Sequence, residues 1–314
     1  MIPYFYLIAQ ALLIPALSPV CIGIIRKIKA LMQNRRGPSI FQPYRDIYKL
    51  LHKDEIISAD ATPIFLIAPY IVFATTLVVA MSIPLLGTFL PTIGTSDIIA
   101  VMYILALGTF FLALAGIDIG GPFGGFGASR EMTISALAEG GLLFSLFALA
   151  RMYGTTDLLA MPQALITMPT NVSIMLVTAL SFFGFSVALL AENARYPFDN
   201  PATHLELTMM HEAMIIEYSG KRLALMEWAA ANKLFIFITL GANLFFPWGI
   251  ATTTNILAVI LSLGIFFIKM TGFCIAIALI ESTIAKLRLF RLPNLLLLSC
   301  IASGIAIILT TLIA

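Results

Sequence analysis

The stretch Asn171-Val-Ser-Ile-Met-Leu-Val-Thr-Ala-Leu-Ser-Phe-Phe-Gly-Phe-Ser-Val-Ala-Leu-Leu-Ala191 runs straight into Glu192-Asn-Ala-Arg-Tyr-Pro-Phe-Asp199. The first part carries no charge and is about as long as a helix must be, at ~1.5 Å per residue, to cross a hydrocarbon layer of ~30 Å. The second part is charged and continues through Asn200-Pro-Ala-Thr-His204-Leu-Glu206 to His211-Glu212 and Glu217-Tyr-Ser-Gly220. In a chain with mean hydropathy +1.01, such a segment needs a polar environment built for it. It reads as a site or a docking surface at the end of a membrane-spanning helix.

Working outward, comparable apolar runs fall at roughly 3–25, 64–86, 98–115, 132–150, 229–247, 256–280 and 294–313. With 60% hydrophobic and 11% charged residues, one soluble core cannot hide them all. The reading is an all-α polytopic membrane protein with eight transmembrane helices, a single membrane domain over residues 1–314, and charged loops on one side. The first run lacks a basic leader and a small-residue cleavage site, so it reads as a retained helix. If the loops after the first, third, fifth and seventh helices share a side, they hold 15 of the 18 lysines and arginines. The positive-inside bias then places those loops in the cytoplasm of a bacterial or archaeal cell and both termini outside. No internal repeat is visible, which argues against a secondary transporter built from paired repeats.

The polar positions concentrate on the basic side. Gln33-Asn-Arg-Arg-Gly-Pro-Ser-Ile-Phe-Gln-Pro-Tyr-Arg-Asp-Ile-Tyr-Lys-Leu-Leu51 places a turn at Gly37-Pro38. An amphipathic helix is expected from Tyr44 to Leu51, with Asp46, Tyr48 and Lys49 toward its polar side and Ile47, Leu50 and Leu51 as an apolar stripe. Gly116 to Arg130 is glycine-rich and reads as irregular backbone, tolerable at membrane depth only under protein or water cover. Glu139 lies inside the fourth span, where a carboxylate by default faces the bundle interior or a wet cavity. Lys233 and Lys269 are candidate partners for it or its neighbours, although Lys233 could also snorkel to the membrane edge. Cys21, Cys274 and Cys300 show no CxxC or Cys/His spacing, so no iron–sulfur, haem, nickel or other metal site is expected in this chain.

Together these segments resemble a known family: subunit 1 of respiratory complex I and, more closely, the matching membrane subunit of energy-converting nickel–iron hydrogenases, a group that includes formate hydrogenlyase. The residues that carry the resemblance are Arg35-Arg36-Gly37-Pro38 with Gln42, Asp46 and Lys49, Gly127-Ala-Ser-Arg130 followed by Glu139, and Glu192-x-x-Arg195-x-Pro-Phe-Asp199. Ala202 and His204 stand where complex I subunits usually carry further carboxylates. Glu281-Ser-Thr-Ile-Ala-Lys-Leu-Arg288 begins with glutamate where complex I normally has arginine, and this favours the hydrogenase branch.

The resemblance implies a non-catalytic membrane anchor beneath a cytoplasmic electron-transfer arm. Iron–sulfur clusters and a nickel–iron centre would sit in partner subunits, the hydrogenase large and small subunits, with antiporter-like membrane subunits alongside; the bilayer, and no nucleic acid, completes the surroundings. Arg35, Arg36, Gly37, Pro38, Gln42, Arg45, Asp46 and Lys49 would form the docking loop. Glu192, Asp199, Glu206 and Glu212 would form a proton-conducting or switching cluster, with Glu217 at its end. Arg195 would hold those carboxylates ionised or paired. Glu139 would open the intramembrane path near Arg130 and Lys233, and His204 and His211 could relay protons near neutral pH. The alternative is a quinone-chamber subunit of an NADH-quinone oxidoreductase-like complex.

Overall fold

The computed structural model describes residues 2–91, 93–167, 171–200 and 209–313. These residues form eleven α-helices in chain order: α1 Ile2–Met32, α2 Gln42–Leu51, α3 Pro63–Ser82, α4 Ile98–Asp118, α5 Pro122–Tyr153, α6 Met161–Thr167, α7 Val172–Glu192, α8 His211–Ile215, α9 Gly220–Leu244, α10 Ile256–Thr283 and α11 Leu292–Ile313, the last preceded by a 3₁₀ turn over Leu289–Arg291. Eight of them (α1, α3, α4, α5, α7, α9, α10 and α11) are long and apolar enough to cross a membrane. No strand occurs among the described residues; an isolated bridge pairs Asp97 with Asp157. The amphipathic helix expected over Tyr44–Leu51 is α2, which buries Pro43 and Ile47.

The helix at the centre is α9. Its spanning stretch is 67% buried against 28% for α10, and Asn232 and then every residue from Leu234 to Leu244 is covered on all sides, the pattern of a helix enclosed by others. It touches α1, α3, α7 and α10 as well as α2, while α5, α7 and α11 pack on one another and α4 bridges α3 to α5. Two prolines interrupt α1. Pro19 has no N–H to give, so the carbonyl of Pro15 is left over, and the Trp228 indole of α9 donates to it at 2.9 Å. A carbonyl freed by proline in one helix thereby becomes a specific contact with the central one.

Two spans begin earlier than their hydropathy suggests. The sixth starts at Gly220 rather than near residue 229, and the fourth at Pro122 rather than near residue 132. Residues 122–130, expected as irregular backbone, are therefore helical. The glycines there serve close packing: a Cβ on Gly124 would stand 2.0 Å from the Gly116 carbonyl oxygen of α4, and one on Gly127 would stand 2.7 Å from the Met210 carbonyl oxygen. Glycine normally weakens a helix, but here it lets α4, α5 and the segment leading into α8 approach backbone to backbone. At 32 residues α5 is longer than the ~30 Å hydrocarbon requires.

Candidate functional site

At the end of the bundle that carries the basic loops, a cavity of about 600 Å³ opens between α1, α3, α4, α5 and α9. Val72, Leu105, Leu112 and Leu234 give it apolar lining. Its charged lining is Glu131, Glu192, Arg195, Asp199 and Lys233, with Glu227, Glu281, Lys29 and Arg26. Pro38 forms part of the lining, so the docking-loop turn sits at its rim.

Each charged element is clamped by another from a distant part of the chain. Glu192, at the last residue of α7, receives Lys233 Nζ of α9 at 2.8 Å on one carboxylate oxygen and the Ser135 hydroxyl of α5 at 3.1 Å on the other. The Lys233 ammonium also donates to Thr109 of α4 at 3.2 Å. It therefore turns inward and does not snorkel. Arg195, expected to hold the carboxylates of its own loop, instead pairs with Glu281 of α10 at 3.0 Å, and the second oxygen of Glu281 takes Lys29 of α1 at 3.1 Å. Asp199 pairs with Lys286 at 2.6 Å and accepts the backbone N–H groups of Met210 at 3.2 Å and His211 at 3.3 Å. With Leu287 N–H donating to the Pro197 carbonyl at 3.0 Å, the segment 281–287 is riveted along residues 195–199. Buried pairs of this kind are costly to break from one side, because the remaining charge keeps its desolvation penalty.

The other sequence-predicted residues divide between this cavity and its surroundings. Glu212 and His211 line it, and burial, reinforced by the Lys233 charge, pushes the His211 imidazole down to about 4 against the opposing pull of Asp199. It is neutral at physiological pH, which corrects the expectation of a histidine titrating near neutrality. Glu139 is half-buried on α5 beside Ser135 and does not line the cavity. Arg130 lies on α5 outside the lining, and Glu217 is exposed. His204 and Glu206 lie outside the described residues. In the docking loop Arg35, Arg36, Arg45 and Lys49 are exposed, Gln42 donates to Asp46 at 2.8 Å, and Gly37 accepts from Lys27 at 3.3 Å. The Arg26–Asp46 pair, at 3.8 Å and open to solvent, contributes little.

Four residues escaped the sequence reading. Lys29, Glu281 and Lys286 were visible only as loop charges, and their partners lie more than 80 residues away along the chain. Glu131, 6% exposed and in the cavity wall, sat in what read as loop. Once α5 is continued back to Pro122, Glu131, Ser135 and Glu139 fall at i, i+4 and i+8 on one helix face. Among the described residues no three histidine, cysteine or carboxylate side chains converge to hold a metal.

A bundle of eight spanning helices, with charged loops clamped over a cavity at one end, defines an integral multi-pass membrane subunit. The chain belongs to the NADH dehydrogenase family, whose profile matches residues 5–312. It is 37% identical to hydrogenase-4 component C of Escherichia coli (strain K12), covering 90% of this chain and 88% of that one. It is 34% identical to formate hydrogenlyase subunit 4 of the same organism, over 92% and 93%. It is 31% identical to an NADH-quinone oxidoreductase subunit of Thermomicrobium roseum, over 70% of each chain. The same fold occurs in a chain of the membrane-bound sulfane sulfur reductase, an archaeal respiratory membrane complex, at TM-score 0.86 and 20% identity, covering 99% of this chain and 100% of that one.

Proposed function

We propose that this chain is the membrane anchor and ion-coupling subunit of a complex I-related hydrogenase or formate hydrogenlyase complex in a prokaryotic cytoplasmic membrane, with its basic loops in the cytoplasm. The observation that carries this reading is the clamped charge network over the cavity: Glu192–Lys233, Glu281 between Arg195 and Lys29, and Asp199–Lys286. Charges so paired, in a partly desolvated site, respond to a change of charge in a subunit docked above them, because a low local dielectric lengthens the reach of an added charge. The exposed Arg35, Arg36 and Arg45 offer the docking contacts. Iron–sulfur clusters and the nickel–iron centre belong to the partner large and small subunits, and antiporter-like subunits lie beside this one in the membrane. Reversing the charges of Arg35, Arg36 and Arg45 together tests the docking: the soluble arm should wash off membranes at physiological salt. An arm that stays bound would leave this loop as a lipid-headgroup contact.

A second reading, a quinone chamber, is favoured by the apolar lining residues Val72, Leu105, Leu112 and Leu234. The purified complex separates the two: hydrogen evolution without quinone reduction supports the first, and quinone reduction supports the second.

A further inference from the structure

Glu131 differs from every other carboxylate described in the cavity wall with comparable burial. It is 6% exposed, yet it makes no hydrogen bond or ion pair to any described residue. The cations nearby are already engaged: Lys233 on Glu192 and Thr109, Arg195 and Lys29 on Glu281. Around this part of α5 the cavity presents Glu192 from α7, Asp199 from the central loop, Lys233 from α9, His211 and Glu212 from the start of α8 and Thr109 from α4, while α11, which also packs on α5, carries no charged side chain. A mostly buried carboxyl that opens onto a cavity and has no dedicated countercharge can change its charge without stranding a partner, unlike the paired carboxylates around it.

The geometry assigns Glu131 as the carboxyl of this cavity that takes up and releases a proton during coupling, a residue in addition to those already named and one that rests on the coupling function proposed above. On release the O–H bond of the carboxyl breaks, the electron pair stays on the carboxylate oxygen and the proton passes to water in the cavity; uptake is the reverse. Glu192 and Lys233, locked together one helical turn away across Ser135, set the field in which this happens. A change in charge above the cavity that loosens the pair changes how much negative charge Glu131 faces.

The test uses the whole complex in sealed vesicles, with Glu131→Gln and Glu131→Asp. Glu131→Gln should assemble, keep dye-linked electron transfer in the arm, lose the carboxyl C=O band from the redox-induced infrared difference spectrum, and lose roughly 100-fold or more of coupled ion movement. Glu131→Asp should keep a shifted band and part of the coupled activity. A band that survives in Glu131→Gln, or coupled movement that is unchanged in it, overturns the assignment. If Glu131→Gln does not assemble, Glu131→Asp decides, and an unshifted band with an unchanged pH profile overturns the assignment, as does failure of both variants to assemble. The double variant Glu192→Gln/Lys233→Met separates the two levels of the argument. If it uncouples and Glu131→Gln does not, only the role of Glu131 fails; if neither uncouples, the coupling function fails with it.

Discussion

Two lysines lie inside this bundle, and they are held in opposite ways. Lys233 of α9 faces the cavity at the basic end and is paired with a carboxylate, Glu192, at 2.8 Å. Lys269 of α10 lies toward the other end, where its ammonium meets the Asn243 side-chain oxygen at 3.3 Å, the Phe246 carbonyl just past the end of α9 at 2.5 Å, and the face of Trp248 at 5.6 Å. Lys269 is satisfied by fixed dipoles and a ring, as a cation at a helix C-terminus is. Asn243 in turn donates to Pro84, and Gln10 ties α1 to the Ala80 and Ile83 carbonyls and to the Leu85 and Leu86 N–H groups, so this end is stitched shut. Between the two ends α9 presents Leu234 to Ile238, apolar and fully covered. One end pairs opposite charges, and the other holds its buried cation with dipoles and a ring.

The most decisive way to break this comparison is to ask which end faces the cytoplasm. With Cys300→Ser and the buried Cys21 and Cys274 left in place, a cysteine at Thr253 should react fully with an impermeant thiol reagent added to intact cells, and one at Ser39 not at all. The reverse pattern would invert the assignment of the ends. Next in size is Lys233→Ala, which strands Glu192 without its cation and should cost about 3–5 kcal/mol in thermal or denaturant unfolding of the detergent-solubilised protein. Glu192→Ala should cost a similar amount, and the double alanine variant clearly less than the sum of the two. Lys269→Met should cost no more than about 2 kcal/mol, the upper range for a helix-terminal cation, and leave coupled activity intact. Coupling lost on Lys269→Met with assembly unaffected would make the two lysines equivalent.

The last effect is read as a pH dependence and concerns His211. Unfolded, an imidazole binds its proton near pH 6.5; folded, this one does so only at about 4. Between those values the unfolded chain holds the extra proton, so the contribution is complete above pH 6.5 and stability falls as pH drops through the window toward 4. In His211→Asn that part of the slope in unfolding stability, up to about one proton, should vanish. A slope identical in the variant and the parent would remove His211 from the account.

Much of this architecture is legible in sequence because lipid imposes a simple rule: backbone groups must be satisfied within a helix, so runs of apolar residues mark helices. The eight spans follow from that rule, and α2 from its apolar stripe. Where α5 begins did not follow, because Gly124 and Gly127 read as breakers until the neighbouring backbones that exploit them are known. The site was half legible. Glu192, Arg195 and Asp199 announced themselves as charges beside an apolar run, but their partners Lys233, Glu281 and Lys286 are fixed by tertiary packing that no local pattern encodes. Glu131 was hidden by the same misplaced helix start.

The central claim is that the paired charges in the cavity couple electron transfer in a docked arm to ion movement. The double variant Glu192→Gln/Lys233→Met tests it most directly, because it removes both charges together, keeps nearly the same volume and strands neither partner, an exchange that buried ion pairs often tolerate without loss of stability. In the assembled complex, dye-linked electron transfer should stay close to that of the parent, while ion movement per electron in sealed vesicles should fall by roughly tenfold or more, equivalent to about 1.4 kcal/mol or more on the coupled step. Ion movement per electron equal to that of the parent would contradict the account.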